Sequence, residues 1–299
     1  MDGKYPSQED YWINTDFIDI NNKNKVLRLL KIIGIDTRYI SYTPNTIYIN
    51  NVRFSKFSKN REETFKKYFP EIEIIRSTIF QKICARSSKI LSDRLNPKDN
   101  ILLLKPQSKI DELLEIVLEP YLRKYGITIF ESNFTSMDEA ISKLNYDSSI
   151  NENKNISKNE NKDISINEKK NINAIASSLT LNEEVESILS AIFSGNEIKN
   201  DKLENNDKNN NIIIYPFINV SNEWINLFFE NLSDNNFNFK NNENKKIKLN
   251  NINNYNNILN YENNSKTIAN SFMEFLDELV PQYKENILKS ANFIEKFSR

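Results

Sequence analysis

Apolar positions along the chain recur with two periods, one helical and one alternating, and the changes between them mark out the elements. Lys25–Ile33 reads as a helix, with Gly34 suited to its end. Tyr39–Tyr42 and Thr46–Asn50 read as strands around the turn signal Pro44-Asn45. Lys59–Phe69 reads as a helix stopped by Pro70. Over Ile75–Leu95 the residues Ile75, Ile79, Ile83 and Ile90 recur at helical spacing, with Phe80 and Leu91 beside them, and Pro97 follows. Asn100–Leu104 is a short apolar run bounded by turn residues, the mark of a buried strand. Ser108–Tyr125 is amphipathic through Ile110, Leu113, Leu114, Val117, Leu118 and Leu122, with Pro120 as a bend and Gly126 as its close. A strand at Ile127–Phe130 and a helix at Met137–Leu144 come next.

The second half continues in the same alternation. Asn173–Ser177 and Ile212–Phe217 read as strands, and Asn182–Phe193 and Asn222–Leu232 as helices. Lys266–Leu279 and Tyr283–Phe297 are two closing helices separated by Pro281. Strand–helix–strand order predicts an α/β fold: a parallel sheet with flanking helices and a helical C-terminus. Residues 145–171, 196–211 and 233–265 interrupt it with Asn, Lys, Glu, Asp and Ser. Such segments bury too little apolar surface to offset their ordering entropy and are expected to be disordered inserts. Phe237, Phe239, Tyr255, Ile258, Leu259 and Tyr261 make the third a candidate for partial folding or folding on binding. Residues 1–23 read as a mobile lead-in. The expected division is an N-terminal region, 1–74, and an α/β domain, 75–299.

Composition removes whole classes of chemistry. The chain has 299 residues, no His and a single Cys, Cys84. That excludes a zinc finger, a Ser–His–Asp triad and a Cys–His pair, while a hard-metal site of carboxylates alone stays open. The four glycines, Gly3, Gly34, Gly126 and Gly195, are too far apart for a phosphate-cradling loop. Net charge is −1, so any nucleic-acid contact must be a local patch. The Asn- and Lys-rich composition is read as genome-wide nucleotide bias. No run is long and apolar enough to span a membrane, and the start Met1-Asp2-Gly3-Lys4-Tyr5-Pro6 is not a secretory signal, so a cytoplasmic location is expected.

Several local patterns invite a chemical reading. Lys105-Pro106-Gln107-Ser108-Lys109 joins a strand to a helix, where an α/β sheet offers backbone amides to an anion. Pro106 removes one amide, and Ser108 with Asp111 three residues on has the form of an ordinary helix cap. An anion contact through Lys105 and Lys109 is the other reading. Lys82, Arg86 and Lys89 recur at i, i+4, i+7 along the long helix, and Arg76, Arg94 and Lys98 extend that charge. The strip is either a solvated face or an RNA-backbone contact. Cys84 reads as a core or boundary thiol, and Trp224, Phe228 and Phe229 as core or subunit interface. The acid pairs Asp111-Glu112, Glu183-Glu184 and Asp277-Glu278 are adjacent in sequence and diverge around a helix, so none is assigned acid–base work.

From about Ile75 onward the chain resembles the cytoplasmic tRNA 2-thiolation protein 2 family, a divergent branch of the PP-loop ATPase fold. The long helix followed by Pro97-Lys98-Asp99-Asn100-Ile101-Leu102-Leu103-Leu104 is similar to the helix and strand that lead into the PP-loop. Pro106–Asp111 stands where catalytic relatives carry S-G-G-x-D-S, with none of its glycines. Ala174–Gly195 resembles a segment that carries His and acidic residues in those relatives. Ile214–Ser221 resembles a strand end of the form R-P-L-R-D-x-S. The tail Lys266–Phe297 resembles the family's closing helices. The family's frequent Cys pairs are absent around Val52–Phe57.

The resemblance implies a non-catalytic subunit that pairs with a catalytic PP-loop subunit. That heterodimer 2-thiolates wobble uridine (U34) in tRNAs for Lys, Glu and Gln. It implies ATP used by the partner and no cofactor bound by this chain, sulfur delivered by a ubiquitin-like carrier, and a tRNA-positioning surface here. Two other readings are kept: an α/β scaffold for unrelated partners, and an ATP-using enzyme with a degenerate loop.

Overall fold

The computed structural model describes residues 12–14, 20–142, 172–198, 212–236 and 261–298. Two compact units result, Met1–Ser178 with Asn205–Pro216, and Leu179–Glu204 with Phe217–Arg299.

The first unit holds two sheets. The larger is built from β1 (Trp12–Asn14), β5 (Asn100–Leu103), β6 (Thr128–Ser132), β7 (Ala174–Ala176) and β8 (Ile212–Ile214), in the order β1-β6-β5-β7-β8. Strands β5 to β8 are mutually parallel, and β1 adds antiparallel to β6. Ile101, Leu102, Leu103, Ile129, Phe130, Ala174, Ile175 and Ala176 are all buried. Consecutive buried residues on a strand mean that both faces are covered, which is the normal state of a parallel sheet. Leu102 lies in register between Phe130 and Ile175. These three pack with Phe134 and with Ala140 and Ile141 of α7 (residues 137–142). The expected α/β class, a parallel sheet flanked by helices, is thus what the chain forms.

Helix α5 (Lys109–Leu118) follows β5 and buries Leu113, Leu114, Val117 and Leu118. Pro120 ends it, so the expected bent helix is two, with α6 at Tyr121–Lys124. Gly126 takes φ +66°, which turns the chain back into β6 without a Cβ penalty.

The smaller sheet pairs β2 (Ile40–Thr43) with β3 (Thr46–Ile49) as a hairpin across Pro44-Asn45, and β4 (Glu73–Ile75) adds parallel to β3. Its core is Ile40, Ile47, Ile49, Phe57, Phe65 and Ile72, with Val26 and Leu30 from α1 (Ile20–Ile32). The short helices α2 (Val52–Ser55) and α3 (Lys59–Lys66) are capped by Asn51 and Ser58.

Two expectations are corrected here. The lead-in contains β1, and α1 begins at Ile20; three residues of strand are too few to show a period. The long helix α4 is Thr78–Arg94, because Ser77 accepts from the Phe80 amide and caps it. Ile75 belongs to β4, opposite Tyr48. The buried face of α4 is therefore Phe80, Ile83, Cys84, Ser87 and Leu91, and only Ile83 of the expected isoleucine stripe lies on it.

The second unit is helical: α8 (Leu181–Phe193), α9 (Asn222–Asn236), α10 (Tyr261–Leu279) and α11 (Tyr283–Ser298). Helices α10 and α11 both pack on α8. Lys284 is nearly buried between Glu223 (2.6 Å) and Asp277 (2.9 Å). Phe228 is buried, as a core reading of the aromatic run requires. Residues 145–171, 199–211 and 237–260 of the three expected inserts lie outside the described residues, and with the last of them Phe237, Phe239, Tyr255, Ile258 and Leu259. Residues 233–236 and 261–265, expected in an insert, are the ends of α9 and α10. Among the described residues no helix is long and apolar enough to cross a membrane.

Candidate functional site

In the larger sheet β5 is flanked by β6 on one side and β7 on the other, so the chain leaves its carboxyl end at a reversal of strand order. Open α/β sheets bind ligands at such reversals, outside the carboxyl ends of the strands. Here the position is a cleft of about 30 Å³ between Leu104, Pro106, Asp111, Glu131 and Ser178. That is room for one or two waters, far below the roughly 300 Å³ of a small-molecule site.

The predicted loop Lys105-Pro106-Gln107-Ser108-Lys109 forms the lip, and the amides of Lys105, Gln107 and Ser108 are already engaged. The Lys105 N–H donates to the Phe134 carbonyl at 2.8 Å. Pro106 has no N–H. The Gln107 and Ser108 amides both donate to Asp111 Oδ2 at 2.9 Å, as does Ser108 Oγ. Ser178 Oγ, from the loop after β7, donates to Asp111 Oδ1. Burial pushes the Asp111 carboxyl up, but the hydrogen bonds from Ser178, Gln107 and Ser108 outweigh it and hold it below the ordinary carboxylate value. Asp111 is therefore an internal anion seated on the helix terminus. The capping box expected for Ser108 is formed, and the side chains of Lys105 and Lys109 are exposed.

Two further carboxylates share the cleft. Glu131 is raised above the usual range by burial, and Glu115 by burial first and then by the charge of Glu131. Among the described residues no group of three or more Cys or acidic side chains could hold a metal ion.

The predicted basic strip lies on α4 and beyond. Lys82 and Lys89 are exposed, and Arg86 and Arg94 are half-buried. Lys98 is exposed in a left-handed turn, φ +68°, with its amide donating to the Tyr125 carbonyl at 2.9 Å. Arg76 does not extend the strip. Its guanidinium donates to Glu62 Oε2 (2.6 and 3.0 Å) and to the Phe57 carbonyl (2.7 Å). Cys84 is a buried free thiol whose pKa burial pushes up, as a core reading predicts.

Sequence reasoning missed the Glu119–Arg123 pair. Glu119, only 6% exposed, accepts from the Tyr42 amide (3.0 Å) and from both arms of Arg123. Arg123 also donates to the Thr37 and Ile40 carbonyls. The signal was an i,i+4 acid–base pair, which normally marks a solvated face. Missed too was Ser178, because its partner Asp111 is distant in sequence.

No protein-family model matches the chain, and no characterised protein matches it significantly. Among solved structures, the U34-tRNA thiolase NcsA from Methanococcus maripaludis, with its [4Fe-4S] cluster, matches at a TM-score of 0.42 and 12% identity. The match covers 75% of this chain and 81% of that one, a distant structural resemblance and nothing finer.

Proposed function

We propose that this chain is the non-catalytic partner subunit of a complex that 2-thiolates wobble uridine (U34) in cytosolic tRNAs for Lys, Glu and Gln. In this reading it positions tRNA and stabilises the assembly. The catalytic PP-loop subunit binds and uses ATP, and a ubiquitin-like carrier brings sulfur to that subunit. The observation that carries the reading is Asp111. It sits on the amides at the strand-order reversal, where a nucleotide-using relative would present them to phosphate. A fixed carboxylate there repels phosphate and takes the Gln107 and Ser108 donors for itself. The motif order from Ile75 to Phe297 supports the family resemblance, and the exposed Lys82 and Lys89 of α4 suit contact with an RNA backbone.

A second reading, an α/β scaffold unrelated to tRNA, is favoured by one feature of α10. Ile268, Phe272, Phe275 and Leu279 form an exposed apolar seam at spacings of four, three and four, the geometry of a helix-pairing face.

The test is affinity capture of the chain from its own cells, with analysis of thiolated uridine after depletion. Recovery of a PP-loop protein and loss of the thiolated base are expected. Intact thiolation with other proteins captured would replace the first reading by the second. Measurable ATP affinity of the isolated chain would overturn the account of Asp111.

A further inference from the structure

We propose that the corner where α2, the 3₁₀ turn Thr37–Tyr39 and α6 meet binds a single-stranded RNA segment, with Phe54 as a stacking platform and Arg53 and Lys56 facing its phosphates. Neither the α4 strip nor the cleft at Asp111 includes any of these residues. Choosing RNA over other polyanions rests on the tRNA reading above.

Phe54 is 51% exposed on a four-residue helix, a costly place for a bare aromatic ring. It is held there by the Tyr39 ring, whose centroid is 5.2 Å away. The Arg53 guanidinium lies 5.9 Å from the Phe54 centroid. Behind them the Lys124 ammonium sits against two rings, 5.1 Å from Tyr39 and 4.4 Å from Tyr121, and Tyr125 stacks on Tyr121 at 5.8 Å. The corner thus alternates aromatic and cationic groups. Arg38, Arg53 and Lys56 are exposed. Asp36, the acid at this corner, is paired with Arg38 at 2.8 Å.

The scaffold is rigid. The Asp36 amide donates to the Ser55 carbonyl, the Asn50 amide to the Tyr39 carbonyl, and the Val52 amide to Gln81 of α4. Arg123 ties the 3₁₀ turn to α6 through the Thr37 carbonyl. A fixed ring with open surface, flanked by cations, is what unpaired bases need: every base has a face to stack, and its phosphate needs a positive neighbour. A duplex buries its base faces and gains only the charges.

The experiment uses the full chain with a labelled short oligouridine, an RNA duplex of the same length, and phosphatidylserine vesicles. The oligouridine is expected to bind best. Phe54→Leu, which keeps apolar bulk and loses the ring, should weaken it roughly tenfold, and Phe54→Trp should restore it. Arg53→Ala should lower the slope of log affinity against log salt by about 0.7. Thermal midpoints of the variants check the fold, and Lys56→Ala, which should lower the salt slope by about 0.7, tests the surface through a side chain with no contact to the ring. Equal binding by Phe54→Leu, or equal affinity for the duplex, would overturn the proposal. Binding to vesicles without oligouridine would make the corner a membrane surface instead. The thiolation reading fails separately: depletion would leave thiolated uridine intact while Phe54-dependent oligouridine binding persisted.

Discussion

Asp111 and Glu131 lie at the same end of the same sheet and are held in opposite directions by their surroundings. Asp111 is lowered because donors surround it, so its contribution to stability is present above the ordinary carboxylate range and lost as pH falls through its depressed folded value. Asp111→Asn should cost about 1–2 kcal/mol in urea unfolding at neutral pH, with the difference shrinking in acid. Glu131 is raised by burial, so its charge destabilises the fold at neutral pH and the penalty lifts as pH falls through its raised folded value. Glu131→Gln should stabilise by about 0.5 kcal/mol at neutral pH, allowing for partial exposure, and by nothing in acid. Thermal unfolding across pH checks the sign; a constant gain at all pH values would point to packing instead. The Ser108–Asp111 cap was readable because its spacing is local. The hydroxyl of Ser178 was not, because only the pairing of β5 with β7 brings it there.

At the scale of elements, the join between the smaller sheet and α5–α6 centres on the Glu119 carboxylate, with Arg123 adding bonds to the Thr37 and Ile40 carbonyls. Removing that carboxylate by Glu119→Ala leaves the Tyr42 amide without its acceptor and Arg123 without its counter-ion in a nearly buried place. The expected cost is about 3–5 kcal/mol, read from chemical unfolding, whereas an ordinary exposed i,i+4 pair would cost well under 1 kcal/mol. Sequence periodicity located the longer helices and six of the eight strands but not β1, β4 or the short α2, since Leu113, Leu114, Val117 and Leu118 or Leu181, Val185, Ile188 and Leu189 leave little choice of face whereas three or four residues show no period. It erred on α4 because Ile75 looks alike in a strand and in a helix. The cap at Ser77, three residues before Phe80, carried the information that fixes the phase.

For the whole molecule, net charge near zero hides local surfaces of distinct character. The α4 strip belongs to this scale, because phosphate contacts act together. On the proposed tRNA reading, Lys82→Glu, Arg86→Glu and Lys89→Glu combined should weaken tRNA binding by the proposed complex at least tenfold and flatten its salt dependence by roughly two units of slope. Unchanged binding by a folded protein would remove the strip from the RNA surface. The β–α–β order announced a parallel sheet, but the position of β5 between β6 and β7 comes from tertiary pairing that no local pattern encodes.

The seat taken by Asp111 also bears on evolvability. Adding glycines to the loop would leave the Gln107 and Ser108 amides on Asp111, and deleting Asp111 first would remove half of the α5 capping box. Each single step toward an anion-accepting loop is therefore harmful or silent, and a lineage carrying this arrangement is held in it by a ratchet of its own hydrogen bonds.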